Sequence, residues 1–285
     1  MEEIKYWIWF SRIENLTPKT QLELLKQFKN PANLWNKKEE DLIKQKINEK
    51  LAKRICEQKY KKDLDKYLEY MQKNAIELIN IYSQEYPENL KNIYDPPAFL
   101  YIKGNKEILN QKSISIVGCR NCTTYGKNTA MKLAYNLSNN NINIVSGLAR
   151  GIDAYSHIGC LKGKAKTIAV VGCGLDRVYP EENRWIYNKI IENDGAIISE
   201  HVRGTKPLAQ NFPRRNRIIS ALSKALIVVE AKEKSGTLIT VDFALEQGKD
   251  IYVVPGNIDS RNSVGTNELI KQGARVLTKI DDIFI

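Results

Sequence analysis

After residue 112 the chain alternates short β-branched runs with amphipathic stretches, and this alternation leaves few folds open. Strand-like runs lie at Ile114–Val117, Ile142–Ser146, Thr167–Val171, Ala196–Ser199, Ala225–Glu230, Ile251–Val254 and Arg275–Thr278. Helical patterns fit between most of them, at Tyr125–Ser138, Ile152–Leu161, Glu182–Asn193 and Thr237–Gln247. Strands that are apolar along their whole length, separated by helices, are buried on both faces and joined by right-handed crossovers. The pattern predicts an α/β fold: an extended Rossmann-type parallel sheet covered by helices.

The first 80 residues read differently. Thr17-Pro18 is an N-cap and first-turn pair for a helix over Lys19–Phe28, with Leu22, Leu25 and Phe28 at helical spacing. Further helical patterns cover Glu39–Ile55 and Lys61–Ile79, and a connector rich in Pro, Tyr and Asn leads to a short strand at Ala98–Ile102. The organisation predicted is a small all-α domain over 1–80 and the α/β domain over 81–285.

Composition narrows the class. The 285 residues are 42% hydrophobic, enough for one large core and a satellite, and no apolar run approaches the roughly 20 residues that cross a bilayer. The N-terminus MEEIKYWIWF carries acids where a signal peptide is basic, and the five cysteines lack disulfide-framework spacing. These features predict a cytoplasmic protein with reduced thiols and no membrane partner. Lys and Arg number 44 against 33 acids, a net charge of +11, of which +8 lies beyond Glu85. Such a balance suits a polyanionic partner or reflects a lysine-rich source.

The loops after the strands are the unusual part. In a parallel sheet, ligands bind beyond the carboxyl ends of the strands, where strand order reverses. The first strand ends in Val117-Gly118-Cys119-Arg120, the second in Ser146-Gly147-Leu148-Ala149-Arg150-Gly151, and the third in Gly172-Cys173-Gly174 running on to Tyr179-Pro180. The fifth leads through Glu230 to Ser235-Gly236-Thr237. Glycine there serves either tight packing or close approach of backbone N–H groups to an anion. Four such loops, two with embedded arginines, favour a phosphate-rich ligand.

Known nucleotide and hydrolase motifs are absent. The first loop is GCRNCTTYG rather than G-x-G-x-x-G, and no G-x-x-x-x-G-K-[ST], G-x-S-x-G or H-E-x-x-H occurs. His157 reads as a packing or capping residue, and Asp153 as the cap of its own helix. Cys119-x-x-Cys122 lacks the second pair that a zinc site requires, so neither metal nor cofactor is expected. A pocket rich in anion donors and poor in acid–base groups fits a binder better than an enzyme.

Phe212-Pro213-Arg214-Arg215-Asn216-Arg217 adds a cationic cluster. Pro213 suits a helix start, which places Arg214 to Arg217 in the first turn, against the macrodipole unless an anion is supplied. Phe212 is either a base-stacking face or a core plug.

The series VGCRNCTTYG, SGLARGID, GCGLDRVYP, ISE, FPRRNRII, VVEA, SGTLIT and VPGNID resembles the DNA-processing protein A (DprA/Smf) family from about Tyr82 to the end. The N-terminal helices resemble that family's sterile-alpha-motif-like or helix-hairpin-helix-like domain. The resemblance implies sequence-nonspecific binding of single-stranded DNA, loading of the RecA recombinase, protection of DNA entering during natural transformation, and a homodimer through the Rossmann domain. It implies that Arg120, Ser146 to Gly151, Arg214, Arg215 and Arg217 line a DNA pocket floored by Ser235, Gly236 and Thr237. Loop chemistry adds Gly118, Gly172, Gly174, Phe212 and Asn216. There are two departures: the chain stops at Ile285, where many members continue into a winged-helix domain, so none is expected here. Glu181 and Glu182 follow Tyr179-Pro180 where some members carry lysine. The rival reading is a nucleotide phosphoribohydrolase of a related Rossmann branch, with Asp153 or Glu200 as its carboxylate.

Overall fold

The computed structural model describes residues 2–57 and 60–283. Six helices come first: α1 (Glu2–Arg12), α2 (Pro18–Phe28), α3 (Pro31–Trp35), α4 (Glu39–Lys44), α5 (Glu49–Cys56) and α6 (Leu64–Lys73). Thr17 caps α2 as its sequence predicts, accepting the Thr20 N–H at 3.2 Å. Two helical expectations need correction. Glu39–Ile55 is two helices, because Lys46 turns the chain at φ 66° between α4 and α5. Lys61–Ile79 is α6 followed by strand β1 (Ile76–Asn80), with Ala75 at φ 50° making the break.

The strands then run α7 (Glu88–Lys91), β2 (Phe99–Gly104), β3 (Ser113–Val117), α8 (Thr124–Asn139), β4 (Asn143–Ser146), α9 (Ile152–Leu161), β5 (Thr167–Val170) and α10 (Arg184–Glu192). They continue as β6 (Ala196–Ser199), α11 (Asn211–Ala221), β7 (Ala225–Val228), α12 (Gly236–Glu246), β8 (Asp250–Val253), α13 (Val264–Lys271) and β9 (Arg275–Val276). One nine-stranded sheet has the order β1-β2-β6-β5-β4-β3-β7-β8-β9. The seven strands from β6 to β9 are parallel, while β2 pairs antiparallel with both β6 and β1. The α/β fold with a covered, mostly parallel sheet and an N-terminal helical region is as the sequence predicts.

Alternation along the strands splits the core between two faces. Ile114, Ile116, Ile144 and Ile227 pack with Ala130, Leu133 and Leu137 of α8. Val145, Leu226 and Val228 share a cluster with Ile218 and Ile219 of α11 and Val241 of α12. From β3 the chain winds outward through β4 to β6, then returns through α11 to β7 and winds the other way. The loops after β3 and β7 therefore diverge and leave a crevice at the carboxyl edge.

The helical module is bonded to this sheet rather than tethered beside it. Trp7, Phe10 and Leu24 belong to the same buried cluster as Leu100, Ile197 and Val228. Ser11 Oγ lies 2.5 Å from Tyr101 Oη on β2, and the Tyr67 and Tyr101 rings are 6.4 Å apart. A shared core predicts one cooperative transition. Leu100→Ala, at a fully buried position, is expected to cost about 2–5 kcal/mol. In urea, tryptophan fluorescence, three of whose four sources (Trp7, Trp9 and Trp35) lie in the helical module, and far-ultraviolet circular dichroism should shift together. Separate midpoints for the two signals would contradict the shared core.

Candidate nucleic-acid interface

A cavity of about 430 Å³ occupies the crevice. Its walls come from the loop after β3 (Gly118, Arg120), the loop after β4 (Ala149), the loop after β7 (Lys232, Lys234) and the starts of α11 and α12. Ser235 caps α12, its hydroxyl accepting the Thr237 N–H at 3.2 Å, so this 11-residue helix aims its positive end into the cavity. Gly236 and Thr237 line the same wall.

Phe212 stands between the expected stacking face and core plug. It is half-buried, with Arg120 over its ring at 5.5 Å and the Tyr179 ring 5.5 Å away on a tilt of 39°. Gly172 makes room for it: a Cβ there would press on the Phe212 ring at 3.2 Å. The order Arg120, Phe212, Tyr179 is a cation–aromatic ladder at the cavity wall. Arg120 itself is exposed.

Arg215 forms the floor. Its side chain is buried, and Nη1 donates to the carbonyls of Gly147, at 2.7 Å, and Val170. Burial pulls its pKa down to about 10, with Asp153 opposing and Arg120 reinforcing that shift. Asp153 is not the cap of its own helix. Its Oδ2 accepts the Gly147 N–H at 3.1 Å, and α9 has no side-chain cap. Burial raises the Asp153 pKa while Arg215 works against the rise. Gly151 (φ 72°) packs its Cα against the carbonyls of Cys119 and Arg120, where any side chain would collide. The β3 and β4 loops meet at that point.

Other residues predicted for the pocket lie elsewhere. Arg217 is 2% exposed and bound to Glu200 (2.7 and 3.1 Å) and Asp95 (3.0 Å), so it is a structural ion-pair residue. The arginines also begin at the fourth position of α11 rather than in its first turn, which Asn211, Phe212 and Pro213 fill. The dipole conflict read from the sequence is correspondingly smaller. Arg214 is exposed and faces a neighbouring cleft instead, while Asn216 does line the cavity. Arg150 is exposed and held by Glu182 through bonds of 2.5 and 2.7 Å, outside the cavity wall. Ser146 is buried and donates to the Ile116 carbonyl at 2.6 Å. Leu148 is buried at φ 55°, its carbonyl taken by Asn183 at 2.9 Å. Gly174 faces Val202 and Arg203.

Sequence reasoning missed Lys232 and Lys234. Their signal is EAKEKSGT, where both lysines lead into the Ser-Gly-Thr helix start. It also left Glu230 without a role. This 2%-exposed carboxylate accepts from Thr123 N (2.9 Å), Thr123 Oγ1 (2.5 Å) and Asn262 Nδ2 (3.3 Å), tying the β3 loop to β7. His157 donates or accepts at Nδ1 with Thr167 Oγ1 (2.6 Å), while its Nε2 has no partner among the described residues, and burial takes its pKa down to about 3. Burial raises the pKa of both Cys119 and Cys122, favouring the thiol form. Among the described residues no group of three His, Cys, Asp or Glu side chains is placed to hold a metal ion. No helix among them is long and apolar enough to cross a membrane.

The two kinds of arginine predict different phenotypes. Arg217→Ala leaves the Glu200 carboxylate, on a side chain only 11% exposed, without its partner and should cost about 3–5 kcal/mol in urea unfolding. Arg120→Ala, at an exposed position, should stay within about 0.5 kcal/mol of the parent. Equal stability of the two variants would refute the structural role of Arg217.

Residues 77–285 match the family model for DNA recombination-mediator protein A. The chain is 43% identical over 233 residues to the DNA processing protein DprA of Bacillus subtilis, covering 81% of this chain and 78% of that one. It is 38% identical over 223 residues to the Smf protein of Escherichia coli, covering 78% and 60%. The structure of DprA from Streptococcus pneumoniae aligns with a TM-score of 0.83 at 34% identity, over 98% of this chain and 96% of that one. DNA processing protein A from Helicobacter pylori, described for its single-stranded DNA binding mode, aligns at 0.66 and 31% identity, over 73% and 93%. This chain therefore belongs to the DNA recombination-mediator protein A (DprA/Smf) family.

Proposed function

We propose that the chain binds single-stranded DNA without sequence preference in the cavity at the sheet's switch point. The observation that carries this reading is the combination of Arg120, Lys232, Lys234 and the α12 N-terminus around one half-buried aromatic ring. Backbone phosphates take the cations and the helix end, and a base takes the Phe212 face. Arg120 now lies over that ring. A base arriving there moves the guanidinium outward toward its own phosphate.

We further propose a non-catalytic role: delivery of the strand to a RecA-type recombinase in the cytoplasm by a homodimer, with DNA protected in transit. Two features support the dimer and the non-catalytic role. Leu245, at the end of α12, and Ile258, in the loop after β8, are 62% and 86% exposed, apolar surface that a second copy would cover. Asp153 and Glu200, the carboxylates a phosphoribohydrolase would need, are already engaged by the Gly147 N–H and by Arg217. Release of free base from a nucleoside monophosphate, abolished by Asp153→Asn, would favour that rival.

Titration with oligothymidylate at several salt concentrations tests the reading. Affinity should fall with a logarithmic slope of about −0.7 per neutralised phosphate, and Arg120→Ala should lower both affinity and slope. Phe212→Ala should weaken single-strand binding about tenfold while barely changing duplex binding. Unchanged slopes and an unchanged single-to-double-strand ratio in these folded variants would remove both residues from the site.

Glu182 supplies a test of opposite sign. It occupies Arg150 as a phosphate would, in an exposed pair that screening keeps weak. Glu182→Gln should raise affinity about two- to fivefold and steepen the salt slope by about 0.7. Weaker binding by Glu182→Gln would contradict this competition.

A further inference from the structure

A second cavity, of about 480 Å³, lies between the helical module and the segment leading into α11. Its walls are the turn after α1 (Leu16), the first turns of α2 (Gln21), Phe99 at the start of β2, and His201 and Leu208 of the β6–α11 loop. Nothing in the sequence pointed to it, because its two sides are some 190 residues apart along the chain.

We propose that this cleft is a second nucleotide subsite, taking a base from the same strand whose neighbour occupies the basic cavity. The inference rests on the single-strand reading above and extends it to the helical module.

Contiguity is the first argument. Residues 208–216 are a wall common to both cavities. Leu208, Asn211 and Arg214 face the cleft, whereas Ala209, Phe212 and Arg215 face the basic cavity. That wall is one helix thick, about 10 Å. A strand leaving Phe212 and crossing the start of α11 meets Arg214 and then the cleft.

Chemistry is the second. Leu16 and Leu208 offer apolar surface over the buried Phe99, and Gln21, 8% exposed, offers an amide to a base edge. An unstacked base needs that combination of flat apolar contact and polar edge. His201 adds an imidazole ring to the wall of the cleft. Burial lowers the His201 pKa, so the ring stands there neutral.

Charge is the third. Arg214 is exposed, lines the cleft, and enters no ion pair among the described residues, while Glu200 is tied to Arg217. One cation suits one phosphodiester. Occupancy therefore depends on the strand being tethered next door, where the effective concentration is high.

The test compares oligothymidylates of about four and about sixteen nucleotides, at the extremes of known single-strand site sizes. Arg214→Ala should leave affinity for the short one within about twofold. For the long one it should weaken binding about three- to tenfold and reduce the salt slope by about 0.7. Gln21→Leu should weaken only the long one, about two- to fivefold, with no change in slope. Equal losses at both lengths would place Arg214 in the basic cavity and overturn the proposal, as would no loss at either length. Failure of the unaltered protein to bind either oligonucleotide would instead overturn the single-strand reading, and the subsite with it. Circular dichroism of both variants confirms that they are folded before titration.

Discussion

The buried guanidinium of Arg215 is the interaction on which the site depends. It is held by the carbonyls of Gly147 and Val170, and among the described residues it makes no direct ion pair. A charge taken out of water without a bonded counter-ion is costly, and its depressed pKa is the sign of that cost. Asp153 offsets part of it through space. An anion in the cavity above would offset more, in a setting where charges are screened less than at the surface. The same side chain joins the ends of β4 and β5 to α11, so the floor of the cavity is fixed before any ligand arrives.

The architecture explains why the cations converge. Fully buried parallel strands force each loop to emerge at one edge, and the reversal of strand order after β3 opens the crevice there. Arg120 comes from the β3 loop, Lys232 and Lys234 from the β7 loop, and Phe212 from the helix that carries the chain back. Residues more than 100 positions apart are thus brought to one cavity by topology alone. The helical module adds a constraint at the same place. Tyr67 Oη accepts the Arg203 N–H at 3.0 Å, and the Arg203 guanidinium lies 3.8 Å from the Tyr70 ring centroid. The loop that delivers Phe212 is anchored on α6.

Much of this was legible in the sequence. Strands β3 to β8 read correctly because parallel, doubly covered strands are apolar along their whole length. The glycine loops likewise marked the edge where the cavity sits. Strand β1 was not legible. Ile76–Asn80 follows a Lys- and Glu-rich helix without Pro or Gly, and only its antiparallel pairing with β2 makes it a strand. The arginines were the harder case. Arg214, Arg215 and Arg217 look alike in sequence, but helical geometry sends them to a cleft, a cavity floor and a buried ion pair. What decides the fate of Arg217 is its pairing with Glu200, 17 residues earlier, and Asp95, 122 residues earlier, which no local pattern reveals. Arg150 is held off the cavity wall in a similar way, by Glu182, 32 residues on.

The most direct test of the account is a crystal structure of the chain with a short oligothymidylate. A phosphate should lie at the N-terminus of α12, within hydrogen-bonding distance of the Thr237 N–H and beside Arg120, with a base against the Phe212 ring. An ordered oligonucleotide bound on another surface, with this cavity empty, would contradict it.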